Sequence, residues 1–423
     1  MKTIKLGIFG LGRGADSLES FLYCNAEIVA ICDSDPVRLN AVWEEMGKIP
    51  TCYSNFDEFI EHEGLEAVLI ANRFHQHTPY AIRCLEKDIH VLCECTSNGT
   101  MAEGVALVRA AEKSKAIFMI GENYPYRRFV REIKRVCDGG TLGKILYAEG
   151  EYNHPVGPDD LEFSKIYRYY ADHWRHYCPA TYYITHSLGP LMFATGAFPV
   201  RVTAMPVYAP FTEQPFNVTR CGDRAAIITC LNNDDSVYRV TGCAQFGAHG
   251  NSYRVCGVEG QVENLRGMGD KVMLRYNEWS VPEGLQKDNL YEPAWDDPDE
   301  EIIKRQGHGG ADFYIAREFL NAVRTGKPHM FDVYFATTMA SVGILAHRSL
   351  MEGGMPYDIP DFHKEEDRKK YENDYLTPFL GDNGEAPTLP CCSHPEHLPT
   401  PEQYAKYDEV MGNGQSALHK KDI

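Results

Sequence analysis

The sequence predicts an α/β protein: an N-terminal Rossmann domain followed by a C-terminal α/β domain with a largely antiparallel, open sheet. Three observations carry this expectation. Apolar strand-like runs alternate with amphipathic helical segments from Met1 to about Asn123, the signature of a parallel sheet wrapped on both faces. A glycine-rich turn, Gly10-Leu11-Gly12-Arg13-Gly14-Ala15, directly follows the first strand and opens a helix. Beyond Asn123, strand candidates succeed one another with few helices between them, as in an antiparallel sheet.

In order, the first-domain strands are read at Ile4–Phe9, Ile28–Cys32, Ala67–Ala71, His90–Glu94 and Ile117–Ile120. Helical periodicity fills the gaps at Ser17–Cys24, Pro36–Met46, Thr78–Glu86 and Ala102–Lys113. After a helix near Phe129–Cys137 come strands at Ile145–Tyr152, Val200–Met205, Arg224–Leu231, Val237–Ala244 and Asn251–Cys256. Two helices follow, Gly310–Arg324 and Ala336–Leu350. The polar stretch from Asp361, rich in Pro, His and acidic residues, reads as an extended arm. The expected division is therefore 1–123, 124–360 and an arm over 361–423.

Composition narrows the function. A chain of 423 residues, 43% hydrophobic and 24% charged, has enough apolar side chain for large cores and is expected to form more than one domain. The formal charge of −18 argues against a nucleic-acid partner, because an acidic surface repels phosphate. Apolar runs such as Glu66–Ala71 fall far short of the ~20 residues that span a membrane. The N-terminus enters a strand with no signal-peptide pattern, so a cytoplasmic location is expected. The 14 cysteines include many set singly in apolar segments (Cys24, Cys32, Cys93, Cys230, Cys243), where free thiols behave as small buried hydrophobes.

The glycine turn has the context of a dinucleotide site: strand before, helix after, and Asp33 at the end of the next strand. Such a turn lets a pyrophosphate approach the helix N-terminus closely. A carboxylate at Asp33 accepts from a ribose diol and repels a 2′-phosphate, which favours NAD over NADP. A glycine turn in an unrelated α/β protein is the alternative.

These features, continued through Ile70-Ala71-Asn72-Arg73-Phe74-His75-Gln76-His77 and Val91-Leu92-Cys93-Glu94, resemble the Gfo/Idh/MocA oxidoreductases up to about Gly354. The resemblance implies an open-sheet second domain that carries the substrate site and often mediates oligomerisation. The family's Glu-Lys-Pro motif maps onto Glu94-Cys95-Thr96, keeping the glutamate and losing the lysine and proline. A narrower resemblance links Tyr183-Ile184-Thr185-His186-Ser187-Leu188-Gly189-Pro190 to the NAD-dependent α-N-acetylgalactosaminidases of the same superfamily. Tyr152-Asn153-His154, Trp174-Arg175, His308-Gly309-Gly310-Ala311-Asp312 and Asp332-Val333-Tyr334 match that branch in the same order.

Together these readings nominate Gly10, Leu11, Gly12, Arg13, Asp33, Arg38, Asn72, His77, Glu94, Asn123, Trp174 and Arg175 for NAD. Tyr124, His154, Thr185 and His308 are expected to contact a small sugar or glycoside. No metal is expected; Cys391-Cys392-Ser393-His394-Pro395-Glu396-His397 holds ligand types without metal-binding spacing and reads as part of a solvent-side arm.

Oxidising a secondary alcohol requires something to take the hydroxyl proton. With the family lysine absent, histidine and tyrosine are the natural groups. His186 and Tyr183, three apart, would share a helix face, one handling the proton and the other orienting the sugar. A core or capping role is the alternative for His186, core for Trp174, a surface ion pair for Arg175 and a plain helix start for His308. Cys95 reads as a filler, because Glu94 would raise its pKa. Three functions stay open: an oxidoreductase acting on a ring hydroxyl, C3 foremost; a redox-neutral glycosidase; and a non-catalytic NAD-binding sensor. A homo-oligomer is expected.

Overall fold

The computed structural model describes residues 2–157, 173–212, 216–381 and 384–411. The first unit runs β1 (Ile4–Phe9), α1 (Leu18–Tyr23), β2 (Ala26–Cys32), α2 (Pro36–Glu45), β3 (Thr51–Tyr53), α3 (Phe56–Phe59), β4 (Ala67–Ile70), α4 (His77–Glu86), β5 (His90–Cys93), α5 (Met101–Lys113) and β6 (Phe118–Ile120). Its strands pair in parallel in the order β3-β2-β1-β4-β5-β6. Strand order reverses between β1 and β4, and in such sheets ligands bind beyond the carboxyl ends of the strands at that point. The strands are apolar because both faces are covered: every residue of β4 is buried. The short β3 and α3 carry too little periodicity to stand out in the sequence.

The second unit contains α6 (Arg128–Asp138), β7 (Ile145–Asn153), α7 (Thr185–Thr195), β8 (Pro199–Tyr208), β9 (Asp223–Asn232), β10 (Val237–Ala244), β11 (Gly250–Gly257), β12 (Gly260–Asn264), β13 (Val272–Tyr276) and β14 (Asp288–Tyr291). Then come α8 (Glu300–Ile303), α9 (Ala311–Thr325), α10 (Val333–Met351) and β15 (Tyr357–Asp358). Among the described residues nine strands pair in the order β14-β13-β12-β11-β7-β10-β9-β8-β15. All neighbours are antiparallel except β7 and β10.

The buried face of β7 presents Ala148, Gly150 and Tyr152. Helix α7 lies so close there that a Cβ on Gly150 would stand 2.1 Å from the Ser187 carbonyl oxygen. That contact, with Ser187 Oγ donating to the Thr241 carbonyl, fixes the helix that carries His186. The other face of β7 carries Tyr147, Glu149 and Glu151, with Arg239 and Arg254 paired to Glu149 across the strands. None of the helices among the described residues is long and apolar enough to cross a membrane.

The arm corrects one expectation. Its short α11 (Glu365–Arg368) and the residues after it are strapped along α5 by Arg109–Glu372 (2.7 Å) and Arg368–Glu112 ion pairs. Phe379 is 1% exposed and its ring stacks on His75 at 4.4 Å. The Cys391–His397 segment, expected to face solvent, instead buries Cys391 and Cys392 against the body. The helix α12 (Pro401–Met411) sets Tyr407 edge-on to His176. Residues 412–423 of the arm lie outside the described residues.

His347 on α10 anchors this strap, its Nε2 donating to the Pro390 carbonyl at 2.7 Å. Burial lowers its pKa to about 4, and Nδ1 has no partner among the described residues. The unfolded chain, with histidine near 6.5, therefore binds the proton first. Stability contributed here is complete above pH 6.5 and is lost as pH falls towards 4, about 3 kcal/mol in all. His347→Gln, which keeps a donor for Pro390, is expected to flatten that part of the Tm-versus-pH curve; an unchanged slope would refute the assignment.

Candidate active site

At the turn after β1, Gly10 adopts φ +91° and donates its N–H to the Cys32 carbonyl at 2.9 Å. A Cβ there would lie 2.4 Å from the Ala71 backbone. Gly12 is different: a Cβ would meet nothing within 4 Å, so the turn is open on that side. Asp33, 7% exposed, accepts from the Leu11 N–H at 2.7 Å and from Arg38 Nη1 at 3.2 Å. The glycine turn and the carboxylate are thus tied together as a dinucleotide cradle requires. Gly10→Ala combines a disfavoured positive φ with a backbone clash; it is expected to abolish measurable NADH fluorescence titration and lower Tm. Retained cofactor affinity would contradict this role.

Beyond the carboxyl ends of the strands, between the two sheets, lies a cavity of about 310 Å³. Of the nominated residues, Arg13, Asn72, His77, Glu94, Asn123, His154, Trp174, Arg175, Tyr183, His186 and His308 line it, with Tyr152 beside them. Asn72 Oδ1 and Asn123 Oδ1 are buried acceptors without a partner among the described residues. Together with the open turn at Gly12 and the buried Asp33, they fit a bound NAD.

Arg13 leaves the glycine turn and reaches Glu94 Oε1 (3.2 Å) and Asp312 Oδ1 (2.7 Å). Asp312 also accepts from Asn123 Nδ2 at 2.8 Å and pairs with His308 Nδ1 at 2.9 Å. Burial works against the Asp312 charge, but His308 and Arg13 hold its carboxyl well below the usual range. Burial likewise opposes the Arg13 charge, which Glu94 and Asp312 more than offset. Burial pushes Glu94 up, with Arg13 as the counterweight.

Behind the cavity wall stands a carboxylate absent from the nominations. Glu122 follows β6 and is fully buried. Its Oε1 and Oε2 lie 2.9 and 3.0 Å from His186 Nδ1, and Oε1 accepts from the Tyr124 N–H at 3.1 Å. The Cys95 thiol donates to Oε2 at 3.3 Å. With the Nδ1 proton held by the carboxylate, Nε2 carries the lone pair. It faces the Tyr183 hydroxyl at 3.4 Å. Burial holds the Tyr183 phenol protonated, well above its ordinary value, so it donates to Nε2. Burial, Glu122 and Glu94 push the Cys95 thiol far up, which leaves it inert. The signal for Glu122 was its place: an acidic residue just past a parallel strand, at the ligand end of the sheet.

Tyr183 lies before α7 and is joined to His186 by side-chain contact, not by a shared helix face. Trp174 stacks on Phe74 at 5.1 Å and 10°, and Phe74 on Tyr183 at 5.7 Å, making an aromatic wall. Two nominated sugar contacts stand behind the surface. Tyr124 is stacked on the His186 ring at 4.2 Å, and Thr185 is fully buried beside Cys95. His77 Nδ1 donates to the Thr96 carbonyl at 2.7 Å, which fixes its ring in the cavity wall. No group of metal-ligating side chains is found among the described residues.

Residues 4–122 match the oxidoreductase family Gfo/Idh/MocA, NAD-binding Rossmann fold, and residues 226–369 match the glycosyl hydrolase 109 C-terminal domain. A glycosyl hydrolase family 109 protein of Saccharopolyspora erythraea is 27% identical over 403 residues, covering 85% of this chain and 83% of the relative. One from Shewanella pealeana is 23% identical over 413 residues, covering 86% of each. Among solved structures, levoglucosan dehydrogenase with NADH and levoglucosan superposes with a TM-score of 0.70 at 18% identity, covering 85% of this chain and all of that one. An Agrobacterium radiobacter oxidoreductase in complex with NAD+, L-tartaric acid and magnesium gives 0.67 at 17%, covering 84% and 98%. The chain thus joins an N-terminal segment that matches the Gfo/Idh/MocA NAD-binding Rossmann fold to a C-terminal segment that matches the glycosyl hydrolase 109 C-terminal domain.

Proposed function

We propose that the protein is an NAD(H)-dependent oxidoreductase acting on a ring hydroxyl, C3 foremost, of a sugar or glycoside. The observation that carries this is the Glu122–His186–Tyr183 constellation at the cavity, a base oriented by a buried carboxylate. NAD, when bound, supplies a hydride acceptor and donor. His186 Nε2 takes the hydroxyl proton, directly or through Tyr183 Oη, and Glu122 stabilises the imidazolium that forms. Trp174 and Phe74 give a sugar ring a flat apolar surface, while Arg175 and His154 supply polar edges. Arg13, held by Glu94 and Asp312, keeps the glycine turn in register with α9. Two copies meeting across the open sheet would give the homo-oligomer.

A second reading is favoured by the glycosyl hydrolase 109 match over residues 226–369 and by the names of the relatives. In it the same oxidation is the first event of a redox-neutral glycosidase, followed by elimination, water addition and reduction within one turnover. Purified protein incubated with a glycoside panel in D₂O, without added cofactor, separates the readings. Accumulated NADH with a keto-sugar supports the oxidoreductase. Aglycone release with deuterium at C2 and no lasting NADH supports the glycosidase, and no change of any sugar across the panel counts against both.

A further inference from the structure

We propose that Cys221 and Cys392 are a peroxide-responsive thiol pair whose disulfide staples the C-terminal arm to the rim of the cavity. Three thiols, Cys221, Cys391 and Cys392, form a buried cluster of their own beneath Tyr208, apart from the main core. Cys221 stands just before β9 and lines the cavity; Cys392 comes from the arm. Their side chains share this buried cluster and interact electrostatically, while the Cys221 thiol donates to the Asp223 carbonyl at 3.7 Å. The fourteen cysteines are free thiols, the pair included.

The surroundings make Cys392 the attacking sulfur. It accepts the Gly222 N–H at 3.2 Å. The Cys221 thiol and the backbone at His394 and Gly222 hold it below its ordinary value, whereas Cys221 is pushed well above. The nearby Asp223 carboxylate accepts from the Ser393 N–H at 2.7 Å and from the Ser393 hydroxyl, which docks the segment in place. Cys391 is the poorer partner: adjacent residues have Cα atoms about 3.8 Å apart, below the usual disulfide span. The pair opens to the cavity on the Cys221 side, the side from which a small hydroperoxide would approach Cys392.

The chemistry balances with that oxidant alone. The Cys392 thiolate attacks one peroxide oxygen, the O–O bond breaks, and the departing hydroxide, or alkoxide from an alkyl hydroperoxide, takes up the proton that the Cys392 thiol released and leaves as water or alcohol. The sulfenic acid on Cys392 is then attacked by the Cys221 sulfur; the S–S bond forms, the S–O bond breaks, and the hydroxyl leaves with the Cys221 proton as water. Two thiols are oxidised and one peroxide is reduced. The product covalently joins the segment just before β9 to an arm already strapped over α5, with Phe379 against the His75 ring.

The test uses the full-length protein. Treat it with hydrogen peroxide, block remaining thiols with an alkylating reagent, digest without reductant and map the peptides by mass spectrometry. The expected result is one dominant cross-linked pair holding Cys221 and Cys392, lighter by two hydrogens and split by dithiothreitol. Proteolysis within the arm is expected to slow about tenfold or more after oxidation, and this protection is expected to vanish in Cys221→Ser. Recovery of both residues as alkylated thiols while other cysteines oxidise would overturn the proposal. So would a Cys391–Cys392 link, separate sulfinic acids, or equal protection in Cys221→Ser.

Discussion

Replacing His186 by alanine is expected to lower turnover of any accepted sugar by roughly 10³-fold, within the range for loss of a positioned general base. NAD affinity should stay within a factor of two or so, because the cradle at Gly10, Gly12 and Asp33 is a separate structure. The ring is no passive filler: its Nδ1 meets a fully buried carboxylate at 2.9 Å and its Nε2 meets the Tyr183 hydroxyl. Glu122→Gln keeps the shape and removes the charge that stabilises the imidazolium. It should cost roughly 10²-fold in kcat with little change in KM. Steady-state kinetics alongside cofactor titration decide the matter, and activity of His186→Ala within severalfold of the parent would refute the assignment.

Asp312→Ala is expected to be the most destabilising single change at the site, about 2–4 kcal/mol, because it removes one carboxylate from a partly buried cation and leaves two buried donors unpaired. Asp312 is 4% exposed and takes donors from three places: Arg13 of the glycine turn, Asn123 beyond β6 and His308 before α9. Removing it leaves Arg13 with Glu94 and Asp16, and it strands two donors. Since the folded carboxyl lies well below the usual range, its contribution is present above the unfolded-state pKa of ~3.9 and is lost as pH falls below it. Thermal melts at neutral pH and at pH 3 measure this: a large Tm loss at neutral pH that narrows in acid is the expected pattern. An equal loss at both would point to packing instead of charge.

Much of this was legible before any coordinates. The parallel sheet could be read because buried strands are nearly continuous apolar runs, and Asp33 because it follows a strand and a glycine turn at the right distance. The aromatic and histidine contributors from α7 and the Trp174 turn were reached through resemblance, since their order along the chain says nothing of their meeting. Glu122 escaped because its one signal, a place just past a three-residue strand, names no partner; only the fold sets it against His186. Tyr124 and Thr185 were nominated as sugar contacts on resemblance; in the fold one is the plate behind the imidazole and the other the buried neighbour of Cys95. The arm was misread for a similar reason. Its polar composition hides a few spaced anchors, Phe379, Cys391, Cys392 and Tyr407, which are buried by distant partners.

The most direct test of the central claim follows the hydrogen at C3. A substrate carrying deuterium at that carbon, identified from the glycoside panel, is mixed with excess enzyme and NAD⁺ and quenched within a single turnover. Mass spectrometry then locates the label. The account predicts deuterium on the reduced nicotinamide and a carbonyl at C3; deuterium kept wholly on the sugar while product forms would contradict it.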